Sequence, residues 1–188
     1  NFFFSHDGQY LTFHDDKKFC LVYLKNLLDR NIRIYSKSVD TDVIAHVSYS
    51  EQTKTMAVGL TNSKELLFYV LQNEDPNNKN KLKFIKQEQK KIKTERKYDI
   101  KNVAITNCGD ITATSGSGQD TVVQLYNTNT CKLISKIDIN EIENKEMKFT
   151  PDNNFLTVST SMFEISCIAI NKESHHIKNS STEEIKIK

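Results

Sequence analysis

Four stretches of this chain repeat one order of slots, and that repetition constrains the fold more than any single motif. The fullest copy runs from residue 100 to residue 126. An apolar strand with Val103 and Ile105 leads to a turn at 107–110. A second strand with Ile111 and Ala113 on one side follows, then a turn through Gly116 and Gly118. Asp120 then introduces a β-branched and aromatic run that ends at Tyr126. Apolar residues alternating with smaller or polar ones have the period of a half-buried strand, and Gly–Asp turns between such runs predict antiparallel pairing. The same order recurs from 2–4 to 19–23, from 44–49 to 66–69 and from 147–149 to 165–168. The turns are expected at Gly8, Thr53, Gly109 and Asn153, which stand 45, 56 and 44 positions apart.

A β-meander repeated at about 40–45 residues resembles the WD40 repeat family. The resemblance covers residues 2–170 and implies an all-β, WD40-type β-propeller. Four blades do not close the seven-bladed ring usual in that family, so the chain is expected to be a fragment, or a naturally truncated product, holding about four blades of an incomplete, seven-bladed ring. A generic β-sandwich is the alternative architecture. The strand register predicts burial of Phe4, Leu11, Val47, Val58, Val103, Ile105, Val123, Leu125, Phe149 and Val158. The chain departs from the family pattern in having no Trp at all. Tyr126 stands where Trp is usual, Ile168 replaces an aromatic, and no Asp lies near Lys64. More narrowly, the segment 120–126 with 133–144 and the Thr150-Pro151-Asp152 turn resembles the transducin beta-like protein 2 family. That narrower resemblance implies a membrane anchor ahead of Asn1 and a propeller on the cytosolic face of the endoplasmic reticulum. It also implies association with the stress-sensing kinase of that membrane; without it the expected location is simply cytoplasmic.

The long middle interval contains a basic insertion, residues 72–97. Between 79 and 97 stand nine Lys/Arg and two Glu, a local +7 in a chain of net +2. Residues 81–85 read as the outer strand of the second blade. Beyond them, Lys86, Lys90, Lys91, Lys93, Arg96 and Lys97 are candidates for contacting phosphates of RNA, of the ribosome surface or of anionic lipid. The competing reading is a solvated loop whose lysines guard an outer strand against pairing. No aromatic is interleaved between Phe84 and Tyr98 to stack on bases. Residues 19–23 are expected as the third strand of the first blade and 32–35 as its fourth. The polar stretch 171–188 is expected to be disordered.

Nothing in the sequence assembles a nucleophile, a base and an orienting carboxylate. The five histidines lie in turns, one strand and the tail, and Gly116-Ser117-Gly118 precedes a strand instead of a helix, so it is a turn and not a phosphate loop. Asp16, Gly109, Asp120 and Pro151 are expected in structural turn roles, the aspartates by accepting backbone N–H bonds. The scattered cysteines, Cys20, Cys108, Cys131 and Cys167, form no C-x-x-C pair and read as reduced core thiols. No run of 18 apolar residues occurs, so no membrane span is expected within these residues. The expectation is a non-enzymatic scaffold for protein partners that needs no cofactor, with RNA contact through the basic insertion as the alternative.

Overall fold

A computed structural model describes residues 2–5, 7–24, 32–73, 82–139, 144–160 and 165–170. Among them are fifteen strands in four antiparallel sheets, each a meander in chain order. Blade 1 comprises β1 (Phe2–Phe4), β2 (Tyr10–His14), β3 (Lys18–Tyr23) and β4 (Arg33–Ser38). Blade 2 comprises β5 (Ile44–Ser50), β6 (Thr55–Leu60), β7 (Glu65–Asn73) and β8 (Leu82–Lys93). Blade 3 is β9 (Ile100–Ile105), β10 (Ile111–Gly116), β11 (Val122–Asn127) and β12 (Lys132–Asp138), and blade 4 is β13 (Asn144–Phe149), β14 (Phe155–Thr160) and β15 (Ile165–Ala169). The tail 171–188 and its expected disorder lie outside the described residues.

Strand alternation gives each blade two faces, and the apolar residues of neighbouring blades meet there in three clusters. Phe19 and Leu21 of blade 1 meet Val47, Tyr49, Met56, Val58, Tyr69 and Phe84 of blade 2. Phe19 is the hub of this cluster, with ring centroids 5.0 Å from both Tyr69 and Phe84. Burying a side chain of this size contributes about 1.5–3 kcal/mol. Leu66, Phe68 and Ile92 of blade 2 meet Val103, Ile105 and Tyr126 of blade 3. Ala113, Val123 and Leu125 of blade 3 meet Met147, Phe149, Leu156 and Val158 of blade 4.

Of the ten core positions expected, eight are buried. Phe4 is 53% exposed and Leu11 only half-buried. Both lie on the side of blade 1 that no other blade covers, so the register holds and the missing neighbour accounts for the exposure.

Three of the four inner hairpins share one turn. Ser5, Thr106 and Thr150 each receive the backbone N–H five residues on: Tyr10 at 2.9 Å, Ile111 at 3.1 Å and Phe155 at 3.1 Å. Gly8, Gly109 and Asn153 then take positive φ, at 68°, 76° and 61°. In blade 2 the positive φ falls on Lys54 (52°) instead of Thr53, so that turn is centred one residue later than expected. The basic insertion is corrected more substantially. Among its described residues, 82–93 form strand instead of loop: β8 continues to Lys93, pairing with the whole of β7 around a bulge that sets residues 87–90 against Phe68 alone.

Candidate interaction rim and the basic outer strand

The four inner hairpin turns lie at one end of the blades and are linked sideways. The Ser50 hydroxyl donates to the Asn107 carbonyl at 2.7 Å, and the Asn107 N–H donates to Asn153 Oδ1 at 2.5 Å. Gly109 sits so close to Thr53 that a Cβ there would stand 2.5 Å from Thr53 Oγ1. Tyr10, at the end of the first turn, reaches Tyr49 with ring centroids 5.4 Å apart. The result is a continuous rim of preorganised turns carrying Asp7, Glu51, Asp110 and Asp152 beside Lys54. The exposed Asp152 carboxylate accepts the Thr150 hydroxyl and the Asn154 N–H, in that order of effect, and both lower its pKa. Pro151 opens this turn and is exposed.

At the opposite end, carboxylates fix the turns between second and third strands. Asp42, reaching across from ahead of β5, accepts from the N–H groups of Val43 and Ser63 and from the Asn62 side chain, all at 2.6 Å. Burial alone would raise its pKa, but the bonds from Ser63, Val43 and Asn62 outweigh that and bring it to about 2. In blade 1 the turn carboxylate is Asp15, which accepts from Lys17 and Lys18 at 2.8 and 2.7 Å. Asp16, the residue expected there, instead lends its backbone carbonyl to Ile44 at 2.9 Å.

Asp120 does cap its turn, accepting the Val122 N–H at 3.1 Å, and it has a second partner that sequence reasoning missed. Arg96 reaches in from the link between blades 2 and 3, its Nη1 2.7 Å from Asp120 Oδ2, with side-chain exposures of 0% and 10%. The same guanidinium donates to the Val122 carbonyl at 2.8 Å, to the Thr114 hydroxyl and, through a short bond, to the Thr114 carbonyl. Burial lowers the guanidinium pKa and Asp120 opposes it. Gly116 is required beside this pair because a Cβ there would collide with the Asp120 carboxylate.

Arg96 is therefore not part of an exposed basic face, because all its donors point into blade 3. The other candidates lie along or just beyond β8 and are largely engaged by the protein. Lys86 pairs with Glu88 at 3.0 Å, Lys91 with Glu65 at 2.8 Å, and Lys90 donates to Asn129 in blade 3 at 3.0 Å. The Lys97 amine lies 5.5 Å from the Tyr98 ring centroid, and Lys93 is exposed at the end of the strand.

A cavity of about 200 Å³ lies between the four inner strands, lined by Phe3, His46, Val103, Met147 and Phe149 among others. His46 is buried there, and among the described residues neither ring nitrogen makes a well-aligned hydrogen bond. Burial first, and then neighbouring His14, lowers its pKa to about 3, against a smaller opposing pull from the Val103 backbone. All four cysteines are free thiols, only Cys20 being fully buried. Among the described residues no cluster of three His, Cys, Asp or Glu is placed to hold a metal ion, and no helix is long and apolar enough to cross a membrane.

Comparison with solved structures places this architecture. The chain is similar to the β-propeller domain of Cps50 (Swd1) from Myceliophteria thermophila, with a TM-score of 0.63 and 12% identity over 90% of this chain and 50% of that one. It is also similar to Hsv2p of Kluyveromyces lactis, with a TM-score of 0.61 and 12% identity over 95% of this chain and 52% of that one. The chain thus spans about half the length of these propellers. No protein-family model matches it, and no curated protein matches it in sequence. At this identity the likeness carries the fold alone: four blades of a WD40-type β-propeller.

Proposed function

We propose that the protein is a non-catalytic scaffold that docks protein partners on the rim of inner turns. The supporting observation is the side-to-side hydrogen bonding of those turns, from Ser50 to Asn107 and from Asn107 to Asn153. Loops held in one shape before a partner arrives lose little entropy on binding, and a rigid ring is the usual means of presenting them. The acidic side chains along the rim favour a partner segment rich in Lys or Arg. By the resemblance to the transducin beta-like protein 2 family, the proposed setting is the cytosolic face of the endoplasmic reticulum, and the proposed partner is the stress-sensing kinase of that membrane.

The test is a calorimetric titration of the kinase's cytosolic region into the purified chain. Reversing the rim charge with Asp110→Lys and Asp152→Lys should weaken binding at least about tenfold, equivalent to about 1.4 kcal/mol. Replacing Lys90, Lys91 and Lys93 with Gln should leave it unchanged. The competing proposal, phosphate contact through β8, makes the opposite forecast. RNA retention would fall with salt at a log–log slope of roughly −0.7 per contact and be lost in the triple Gln variant. No binding of the kinase by the intact chain, or binding indifferent to the rim substitutions, refutes the scaffold reading as stated.

A further inference from the structure

Where blades 1 and 2 meet at the rim, each of four successive strands contributes a tyrosine. Tyr10 starts β2, Tyr23 ends β3, Tyr35 lies within β4 and Tyr49 stands near the end of β5. Tyr10 pairs with Tyr23 across the β2–β3 ladder, their ring centroids 5.1 Å apart. The Tyr10 ring also meets Tyr49 of blade 2 at 5.4 Å, with 60° between the planes. Tyr35 packs against the same core from the outer strand. Tyr49 is buried, but Tyr10, Tyr23 and Tyr35 are only half-buried, so aromatic surface stays open to solvent.

Two carboxylates flank these rings. The Ser5 hydroxyl accepts the Tyr10 N–H at 2.9 Å and donates to Asp7 Oδ1 at 2.7 Å. The Gln9 N–H donates to the same oxygen at 2.9 Å, so Asp7 is fixed beside Tyr10 in the first inner turn. Glu51 follows Tyr49 by two positions, in the second inner turn. Burial comes first in raising the Tyr10 pKa, and Tyr23, Asp7, Tyr35 and Glu51 add to it in that order. Tyr49 is raised by burial, then by Tyr10, Glu51, Tyr35 and Asp7. The same side chains thus converge on both rings, and Tyr10 and Tyr49 stay neutral phenols at physiological pH.

Aromatic faces attract cations through their quadrupole, and carboxylates beside them add charge attraction. Among cationic side chains arginine suits such a mouth best. Its flat guanidinium stacks on a ring while its edge keeps a fork of N–H donors for the carboxylates. We propose that the mouth formed by Tyr10, Tyr23, Tyr35 and Tyr49 with Asp7 and Glu51 binds an arginine side chain of a partner protein. Given the scaffold reading above, this arginine is the anchor of the basic segment that docks along the rim. The contact draws on no group from residues 6 or 24–31, which lie outside the described residues. Arg33, opposite Tyr23 in the β3–β4 pairing, and Lys54, in the second turn, are exposed bases on the same elements. Both repel an incoming guanidinium, so Arg33→Gln should tighten binding.

The test follows isotope-labelled tyrosine rings of the whole chain by NMR during titration with a capped Gly-Ser peptide carrying one Arg. The Tyr10 and Tyr23 signals should shift to saturation, while Tyr126, buried between blades 2 and 3, should not move. Affinity should fall about fivefold when Lys replaces the Arg, and the shifts should vanish with citrulline, which keeps the shape without the charge. Tyr10→Ala, and separately Asp7→Asn with Glu51→Gln, should each weaken the Arg peptide at least about fivefold. Tyr10→Phe keeps the ring and should bind like the parent. The carboxamide pair is isosteric, so it tests the site even where Tyr10→Ala does not fold. Asp110→Lys with Asp152→Lys, on blades 3 and 4, should leave the peptide bound. A chain that binds the Arg peptide but not the kinase therefore refutes that partner and leaves the arginine site standing. No saturable shift in the parent, equal affinity for the Lys or citrulline peptide, or binding indifferent to the carboxamide pair would overturn the proposal.

Discussion

Arg96 and Asp120 meet 24 positions apart in sequence, and their bond fixes the link between blades 2 and 3 to the turn inside blade 3. Removing one partner from a buried pair leaves the other charge desolvated, which costs about 3–5 kcal/mol. Arg96→Met should therefore destabilise the protein by that amount in urea denaturation. The double variant Arg96→Met/Asp120→Asn should lose clearly less than the sum of the single losses, because the two side chains share one interaction. His46 forecasts an acid sensitivity. Its folded pKa of about 3 lies below the ordinary 6.5, so the unfolded chain takes the proton first. The stability contributed by the neutral imidazole is fully present above pH 6.5 and falls by about 1.4 kcal/mol for each unit between there and pH 3. Going from pH 7 to pH 5 should thus cost about 2 kcal/mol by urea titration, and His46→Phe should remove most of that slope. Asp42 acts in a lower window, between its ordinary 3.8 and about 2, and loses stability in the same direction as its carboxylate protonates.

At the level of strands and turns, local chemistry made much of the fold legible. Gly109 and Asn153 mark their turns because Gly and Asn adopt positive φ readily, and the alternation around Val103 and Val158 fixes which side of each strand is buried. Lys54 is the exception: no residue type announces the left-handed site that the one-residue shift in blade 2 imposes on it. Two glycine substitutions separate conformation from space. Gly8→Ala meets open space at φ 68° and should cost about 1 kcal/mol. Gly109→Ala adds the collision with Thr53 to a similar φ, and should lose clearly more in the same denaturation assay. The length of β8 was not legible, because the bulge at 87–90 breaks the period of two that Phe84 and Ile92 would otherwise show. Arg96 was hidden for a different reason. In a run of lysines its charge reads as solvated, and only the approach of Thr114 and Asp120 in three dimensions shows otherwise. Since Lys90, Lys91 and Lys93 cover the surface of that strand, their replacement by Gln should shift stability by less than about 0.5 kcal/mol in thermal melts.

For the molecule as a whole, the blades are unequal in how they are held. Every residue of β6 is buried, and its alternate side chains enter two different clusters, Met56 and Val58 toward blade 1 and Ala57 toward blade 3. By contrast, β1 and β15 border faces left exposed among the described residues, with Phe2, Phe4 and Ile165 uncovered there. Protection against solvent deuterium should follow the same gradient. Amides of β6 should exchange only when the entire domain opens, while those of β1 and β15 should exchange through openings that spare the middle blades. A blade sandwiched between two others would then behave as the last part of the molecule to yield. Charges placed on the exposed phenylalanines should alter β1 exchange and leave β6 exchange untouched.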